Sequence, residues 1–458
     1  MSVPPLKLGF AGEADARSIA RTFKEPSWLV DERVAGAGLV ASQPAETNQL
    51  FTTYLDLRTV RFGAIQPYAQ TGLAEGARDA SRLPAGAAAI LHIEEDQVVA
   101  QAMRDDAWAA GVVVDTFENV LLSRPGLIRS VIEGGRSLPD NDPFAQVARA
   151  AATVGVLVHV PAGVELDGPI VLRWGVGAAG RGLIGRTVIS IGERAHAKVL
   201  EEQVASGAGR SAPVDSSTDR QSLWWGTTEI DLARGATLDF SGEQDFGDET
   251  VAFVNRHATL GRDATLRWAL ASVGAGFFRS RIDNRLVGQG SSVRQVEIGF
   301  GDRAQLFDLT SYTTHIGEDT TGDLLSKGVF LDRARGYFKG LISIERSAIG
   351  TDSFLGEFAM LLTRKARSVA VPSLEIDQPN VRRAAHSSSV GPIDEGQIFY
   401  LMSRGLSRDA ARKAIVLGFL EPVVARIPLP EAQAGLRALL EAKWPAPGAA
   451  AVADKAAA

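Results

Sequence analysis

The chain has 458 residues, more than the roughly 250–300 at which a single hydrophobic core usually stops growing, so several domains or an elongated architecture are expected. Its 48 basic and 54 acidic residues give a formal net charge of -6, which argues against a protein held to nucleic acid by neutralising phosphates. It has no cysteine, which excludes disulfides, thiol nucleophiles and thiolate-held zinc or iron-sulfur clusters supplied by this chain alone.

The leading segment MSVPPLKLGFAGEADARS lacks the charged-then-apolar order of a secretory signal. No run approaches the roughly 18 apolar residues that span a bilayer, so a cytoplasmic protein without a membrane partner is expected. After Pro26, SWLVDERVAGAGLVA carries apolar residues at helical spacing and Pro44 follows as a stop. Asp96 to Arg104 reads as helical too. Asp142-Pro143 before FAQVARAAATVG supplies an N-cap and a first-turn proline, with a helix end expected near Gly155. Residues 1–155 are therefore read as mixed and largely helical.

From Val156 the period shortens to two. VLVHV, VELDGPIVLRW, LIGRTVISIG, TTEIDL, ATLDFSG, ATLRWAL, SVRQVEIGF, GVFLD and GLISIE follow, separated by glycine-rich turns and by no amphipathic helix. Turn-forming or small residues at Ala195, Gly235, Asp263, Ser291 and Ala304 open strand-like segments at offsets of 40, 28, 28 and 13 residues. These lie near multiples of about 14, as expected of a β-solenoid whose coil holds two strand-turn units. A β-sandwich is the competing arrangement. The solenoid core is placed over 156–376.

Beyond Ser389 the helical period returns. Asp394 with Gln397 forms a capping-box pattern, Ile398, Phe399, Leu401 and Met402 give an apolar face, and Gly405 suits the stop. Ser407 caps a second helix through Ala411, Ile415 and Leu417, which Pro422 kinks or ends, and Pro430 opens a third. Residues 377–445 are read as helical and 446–458 as a disordered, low-complexity tail.

Gly175, Gly177 and Gly180 match GxGxxG, with Glu201 and Glu202 some 20 residues on. The following RGLIGRTVISIG is strand-like, so a solenoid turn is the better reading than a dinucleotide site. There is no GxxxxGK[ST] and no HExxH. His159 and His196 sit in strands, where a structural hydrogen-bonded role is expected. His315 lies in the polar TTHIGEDTTGDLL, where binding is conceivable. His386 lies beside a serine run between a strand end and a capped helix, a setting in which an imidazole could ligate metal or carry a proton. The nearby Arg382 and Arg383 read as a solvated edge.

HSSSVGPIDEGQIFYLMSRGLS continuing through AARKAIVLGFLEPVVARIP resembles the C-terminal signature of the SufB/SufD family of iron-sulfur cluster assembly proteins. KGVFLDRARGYFKGLISIERSAIGTDSF resembles the last turns of that family's β-helix, and EPSWLVDERVAGAGLVASQP, more loosely, its N-terminal segment. The resemblance implies a mainly β fold, a right-handed parallel β-helix flanked by an N-terminal mixed and a C-terminal helical segment. It also implies a complex with an ABC-type ATPase, SufC, docked on the C-terminal helices through Phe399, Met402, Arg404, Ala411 and Ile415. Two β-helical subunits would pair edge to edge, and a homodimer in isolation is possible.

SufB-like chains carry a cysteine near the end of the β-helix, and the matching GEFAMLLT here has none. SufD-like chains offer an interface histidine, whose place His386 takes. The resemblance therefore implies a SufD-like, non-enzymatic scaffold. A transient cluster would be shared with SufB and no cofactor held tightly by this chain alone. The chain departs from the pattern of many SufD sequences at Leu355, Glu357 and Ala359, which puts a polar relay through those positions in doubt. Two rival readings are a β-helical polysaccharide-active enzyme, for which Asp248 and Glu249 are the weak acidic pair, and a purely structural subunit with an inert His386.

Overall fold

A computed structural model describes residues 3–207, 221–426 and 430–444, so the expected tail over 446–458 lies outside the described residues. The N-terminal part contributes helices α1 (Glu13–Thr22), α2 (Ser27–Ser42), α3 (Asp105–Ala109), α4 (Phe117–Ser123), α5 (Pro125–Ile132) and α6 (Pro143–Ala151). It also contributes strands β1 (Gln66–Pro67), β2 (Gly72–Leu73), β3 (Ala89–Glu94), β4 (Gln97–Met103) and β5 (Val113–Thr116). The helix expected over Asp96–Arg104 is thus a strand. Val98 and Ala100 alternate with half-exposed neighbours, and β4 pairs antiparallel with β3 around a turn at Glu95, where φ is +53°. Nine residues are too few for periodicity alone to separate the two structures; the pairing decides.

The rest of the strands wind into a two-sheet solenoid. One sheet stacks β6 (Val154–Val160), β8 (Arg181–Ile191), β10 (Ser222–Leu232), β12 (Thr250–Leu260), β14 (Phe277–Leu286), β16 (Leu306–His315), β18 (Arg335–Ile344) and β20 (Arg367–Ile376) in parallel. The other stacks β7 (Ile170–Val176), β9 (His196–Ala205), β11 (Thr237–Asp245), β13 (Thr265–Ser272), β15 (Ser292–Gly301), β17 (Thr321–Phe330), β19 (Asp352–Leu361) and β21 (Arg383–Pro392). The ladder runs past both ends of the span read from the pattern, starting at Val154 and closing at Pro392. Thr237 aligns with Thr265, Ser292, Thr321, Asp352 and Arg383, steps of 28, 27, 29, 31 and 31 residues, so each coil holds one strand of each sheet.

Alternation along each strand divides its residues between the solenoid interior and an outer face. Inside, Trp174 packs at a tilt against Trp224 at 4.7 Å and Phe240 against Trp268 at 4.9 Å, and Phe278, Phe307, Phe330 and Phe338 follow along the axis at 6.1–6.2 Å. Outside, α6 lies on β8, β10 and β12. Its Phe144 packs on Trp225 and Phe253, and the Trp225 indole N–H donates to the Phe144 carbonyl at 2.7 Å. Asp142 caps this helix through the Ala145 N–H at 3.4 Å, as its position before Pro143 leads one to expect, and the helix ends at Ala151.

The outer face of the second sheet is covered by α7 (Glu395–Ser403), α8 (Arg408–Val424) and α9 (Pro430–Ala442). Ile398, Ala411, Val416, Leu420, Val424, Leu436 and Leu440 bury against Ala269, Val296, Ile298 and Val329. Asp394 caps α7 through the Gly396 N–H and Ser407 caps α8 through the Ala410 N–H. The α8 helix passes through Pro422 and ends two residues later. Both sheets are therefore covered on both faces over much of their length, which is why their strands carry longer buried runs than a half-exposed sheet would.

Candidate functional site

His386 is not in a loop after the last strand; it is in the middle of the last strand. In β21 it lies in register with Leu355 of β19, and Ser388 with Glu357. Leu355 is buried, so His386 stands on the inward-facing side of the terminal coil, at the end where no further coil of the described residues covers it. The imidazole and the run Ser387–Ser389 are exposed. Arg383 bonds Asp352 at 2.6 Å and Arg382 pairs with Asp319, so the arginines tie the terminal strand to earlier coils. Polarity here reflects position in the stack: the last coil has a sheet on one side only.

On the neighbouring helical platform, exposure separates the candidate docking residues. Phe399 is 72% exposed and Met402 41%, and Arg404 stands over the Tyr400 ring at 5.3 Å. Ala411, by contrast, is fully buried against the second sheet and leaves the docking set, while Ile415 is half-buried against the same cluster. Tyr400, 57% exposed, and Leu406, 40%, complete an apolar patch. The sequence pattern missed these two because the face that docks α7 on the body is set by Ile398 with Leu401 half-buried beside it.

His315, His196 and His159 lie in strands, and the hydrogen-bonded role expected of His159 is not seen, since its Nδ1 is buried with no partner among the described residues. His315 is fully buried at the end of β16, with Nδ1 2.8 Å from the Thr320 hydroxyl and Nε2 3.0 Å from that of Ser353; burial pushes it down to about 4. That removes the binding role its polar sequence setting allowed. His196 bonds Asp239 at 3.1 Å, and His159 is half-buried in β6. At the glycine-rich turn no helix follows. The Gly177 and Ala178 N–H groups donate to the Glu95 carboxylate at 2.7 and 2.8 Å, so this chain's own anion fills the place of a phosphate. Glu201 pairs with Arg256 at 2.5 Å and Glu202 with Arg173 at 2.8 Å, and Asp248 pairs with Arg303.

One cluster escaped the sequence reading because its members are 115 and 26 residues apart. Asp142, His257 and Asp283 are buried together, His257 Nε2 3.2 Å from Asp142 and Nδ1 3.1 Å from Asp283. Arg281 lies 2.8 Å from Asp283 and 3.6 Å from Asp142. Burial alone would lower the imidazole, but the two carboxylates outweigh it and raise it to about 9. Two cations thus balance two anions. With both ring nitrogens facing carboxylates and a guanidinium in the place a metal would take, the set is a closed ionic lock between the α6 cap and the solenoid.

Residues 175–419, more than half of the chain, match the family model described as SUF system FeS cluster assembly, SufBD core domain. The chain is 25% identical over 336 residues to the iron-sulfur cluster assembly protein SufB of Bacillus subtilis, covering 73% of this chain and 70% of that protein. It is 24% identical over 357 residues to SufD of the same organism, covering 77% and 79%. A SufBD family protein of Staphylococcus epidermidis is 24% identical over 335 residues, covering 73% and 70%. The matched span takes in the solenoid from β8 onward, the terminal strand with His386, helix α7 and most of α8, and so this chain belongs to the SufB/SufD family of iron-sulfur cluster assembly proteins.

Proposed function

We propose that this chain is the SufD-like, non-enzymatic scaffold of a cytoplasmic complex with a SufB-like paralogue and a SufC-type ATPase. The observation that carries the reading is an exposed imidazole, His386, on the uncovered terminal strand of a chain without cysteine. The two relatives with assigned names do not separate SufB from SufD, since the identities are near equal. The absent thiol favours the SufD-like reading. A nascent cluster is cargo here, and one imidazole cannot hold it; a thiolate from the paralogue across the terminal strand would complete the site, since thiolate and imidazole both suit iron.

The apolar patch of Phe399, Tyr400, Met402 and Leu406 gives the ATPase its seat, beside the terminal strand. ATP-driven closure of the ATPases would turn the helices and, through α8 packed on β13, β15 and β17, the solenoid as one body. Tagging this chain should recover an ATPase and a cysteine-bearing paralogue together. A lone monomer at physiological concentration would sink the assignment. In an intact complex, His386→Ala should lower the yield of assembled cluster at least tenfold, and an unchanged yield would leave the chain a purely structural subunit.

A further inference from the structure

The solenoid interior is apolar near its start and polar toward the open end. Trp268 and Leu270 of β13 point inward. In register with them stand Gln295 and Glu297 on β15, Leu324 and Ser326 on β17, Leu355 and Glu357 on β19, and His386 and Ser388 on β21. On the facing sheet Ser311 aligns with the inward Ile282, and its hydroxyl donates across the interior to Gln295 Oε1 at 3.3 Å. Gly340 follows Ser311 in register, and a Cβ there would meet Glu357 Oε1 at 2.8 Å, so the glycine makes room for that carboxyl.

This polar line is incompletely satisfied. Gln295 Nε2, Glu297 Oε2 and Glu357 Oε2 are buried with no hydrogen-bond partner among the described residues. Groups of this kind are costly when left bare, and native interiors pair them with water. Gln295 and Glu297 lie two residues apart on β15, and Glu357 lies two rungs of about 4.8 Å beyond Glu297, with Ser326 between them.

We propose that the last coils enclose a hydrated proton path, in which Glu297, Ser326, Glu357 and Ser388 pass protons through intervening waters between the solenoid interior and the open end at His386. Each carboxyl takes a proton from the water on one side and gives one to the water on the other, so no net charge stays inside. Burial pushes Glu297 up to about 7 against the pull of the Arg256 charge, and Glu357 up to about 8, where the Glu297 charge adds to burial. Both can therefore change protonation near neutrality. The Arg256–Glu201 ion pair closes the deep end. The path rests on the interior geometry, and only its outlet rests on the interface reading of His386.

Infrared titration of the isolated full chain tests it without any partner. Two protonated-carboxyl bands should titrate near pH 7 and 8 and shift within seconds of transfer to heavy water. Glu297→Gln and Glu357→Gln should each delete one. Ser326→Val, which plugs the middle, should slow exchange of the Glu297 band at least tenfold and leave the Glu357 band fast. Bands that stay unexchanged in the wild-type chain, or two carboxyls that titrate in the ordinary range near pH 4, would overturn the path. Neither result bears on whether an ATPase and a paralogue co-purify, so the two readings fail separately.

Discussion

At the scale of single residues, the chain concentrates charge where its parts meet. The Asp142–His257–Asp283–Arg281 lock joins the cap of α6 to β12 and β14, and its histidine is protonated at neutrality. A group whose folded value is raised stabilises fully below its unfolded value, here about 6.5, and the gain disappears as pH rises through about 9. The shift corresponds to about 3 kcal/mol, so wild type should lose stability between pH 6.5 and 9. His257→Gln should be less stable than wild type at pH 6 and nearly as stable at pH 9.5, with urea midpoints as the readout. A constant gap across that range would show that the imidazole contributes by packing alone. Nothing in local sequence marks this histidine, since its partners arrive from a helix cap and a strand that only the fold brings together.

At the scale of elements, the solenoid is kept in step by its corners. At one of them Gly261, Gly288 and Gly317 lie against the preceding turn of chain, and a Cβ on Gly288 would stand 2.0 Å from the Arg262 backbone nitrogen. Backbone cannot rotate away, so Gly288→Ala should cost about 1–3 kcal/mol. Gly418 meets nothing within 4 Å inside α8, so Gly418→Ala should stabilise by about 0.5–1 kcal/mol. Thermal melts of the pair distinguish corner packing from a general effect of losing glycine. The turns at Ala195, Gly235, Asp263 and Ser291 belong to this corner and were legible as a period near 28. Ala304 belongs to the opposite corner, which is why its offset is a half coil. The strand β21 was not legible, because its solvent-facing serines carry a loop's composition. On α7 the same contrast of exposure sets a further expectation. Phe399→Ala with Met402→Ala should abolish ATPase co-purification at unchanged melting temperature, whereas Ile398→Ala, fully buried, should destabilise by about 2–5 kcal/mol. Loss of stability in the double variant would show that the patch belongs to the body.

At the scale of the whole molecule, the chain protects both sheet faces with its own ends and leaves one end of the stack uncovered. Interior coils have neighbours above and below; β20 and β21 have neighbours on one side, and the residues of β20 are all at least partly exposed. In a linear stack each coil is stabilised by its nearest neighbours, so opening should begin at this end. Hydrogen exchange of the isolated chain should therefore be fastest among the solenoid strands in β20 and β21, and slowest around β8 to β12, where helix α6 adds a second layer. A paralogue that pairs with the terminal strand supplies the missing neighbour, and exchange in β20 and β21 should slow at least tenfold when it is added. The ATPase alone should protect α7 and leave the strands as they were. Terminal strands that remain fast with the paralogue bound would mean that the partner sits elsewhere, and His386 would then have no thiolate to face.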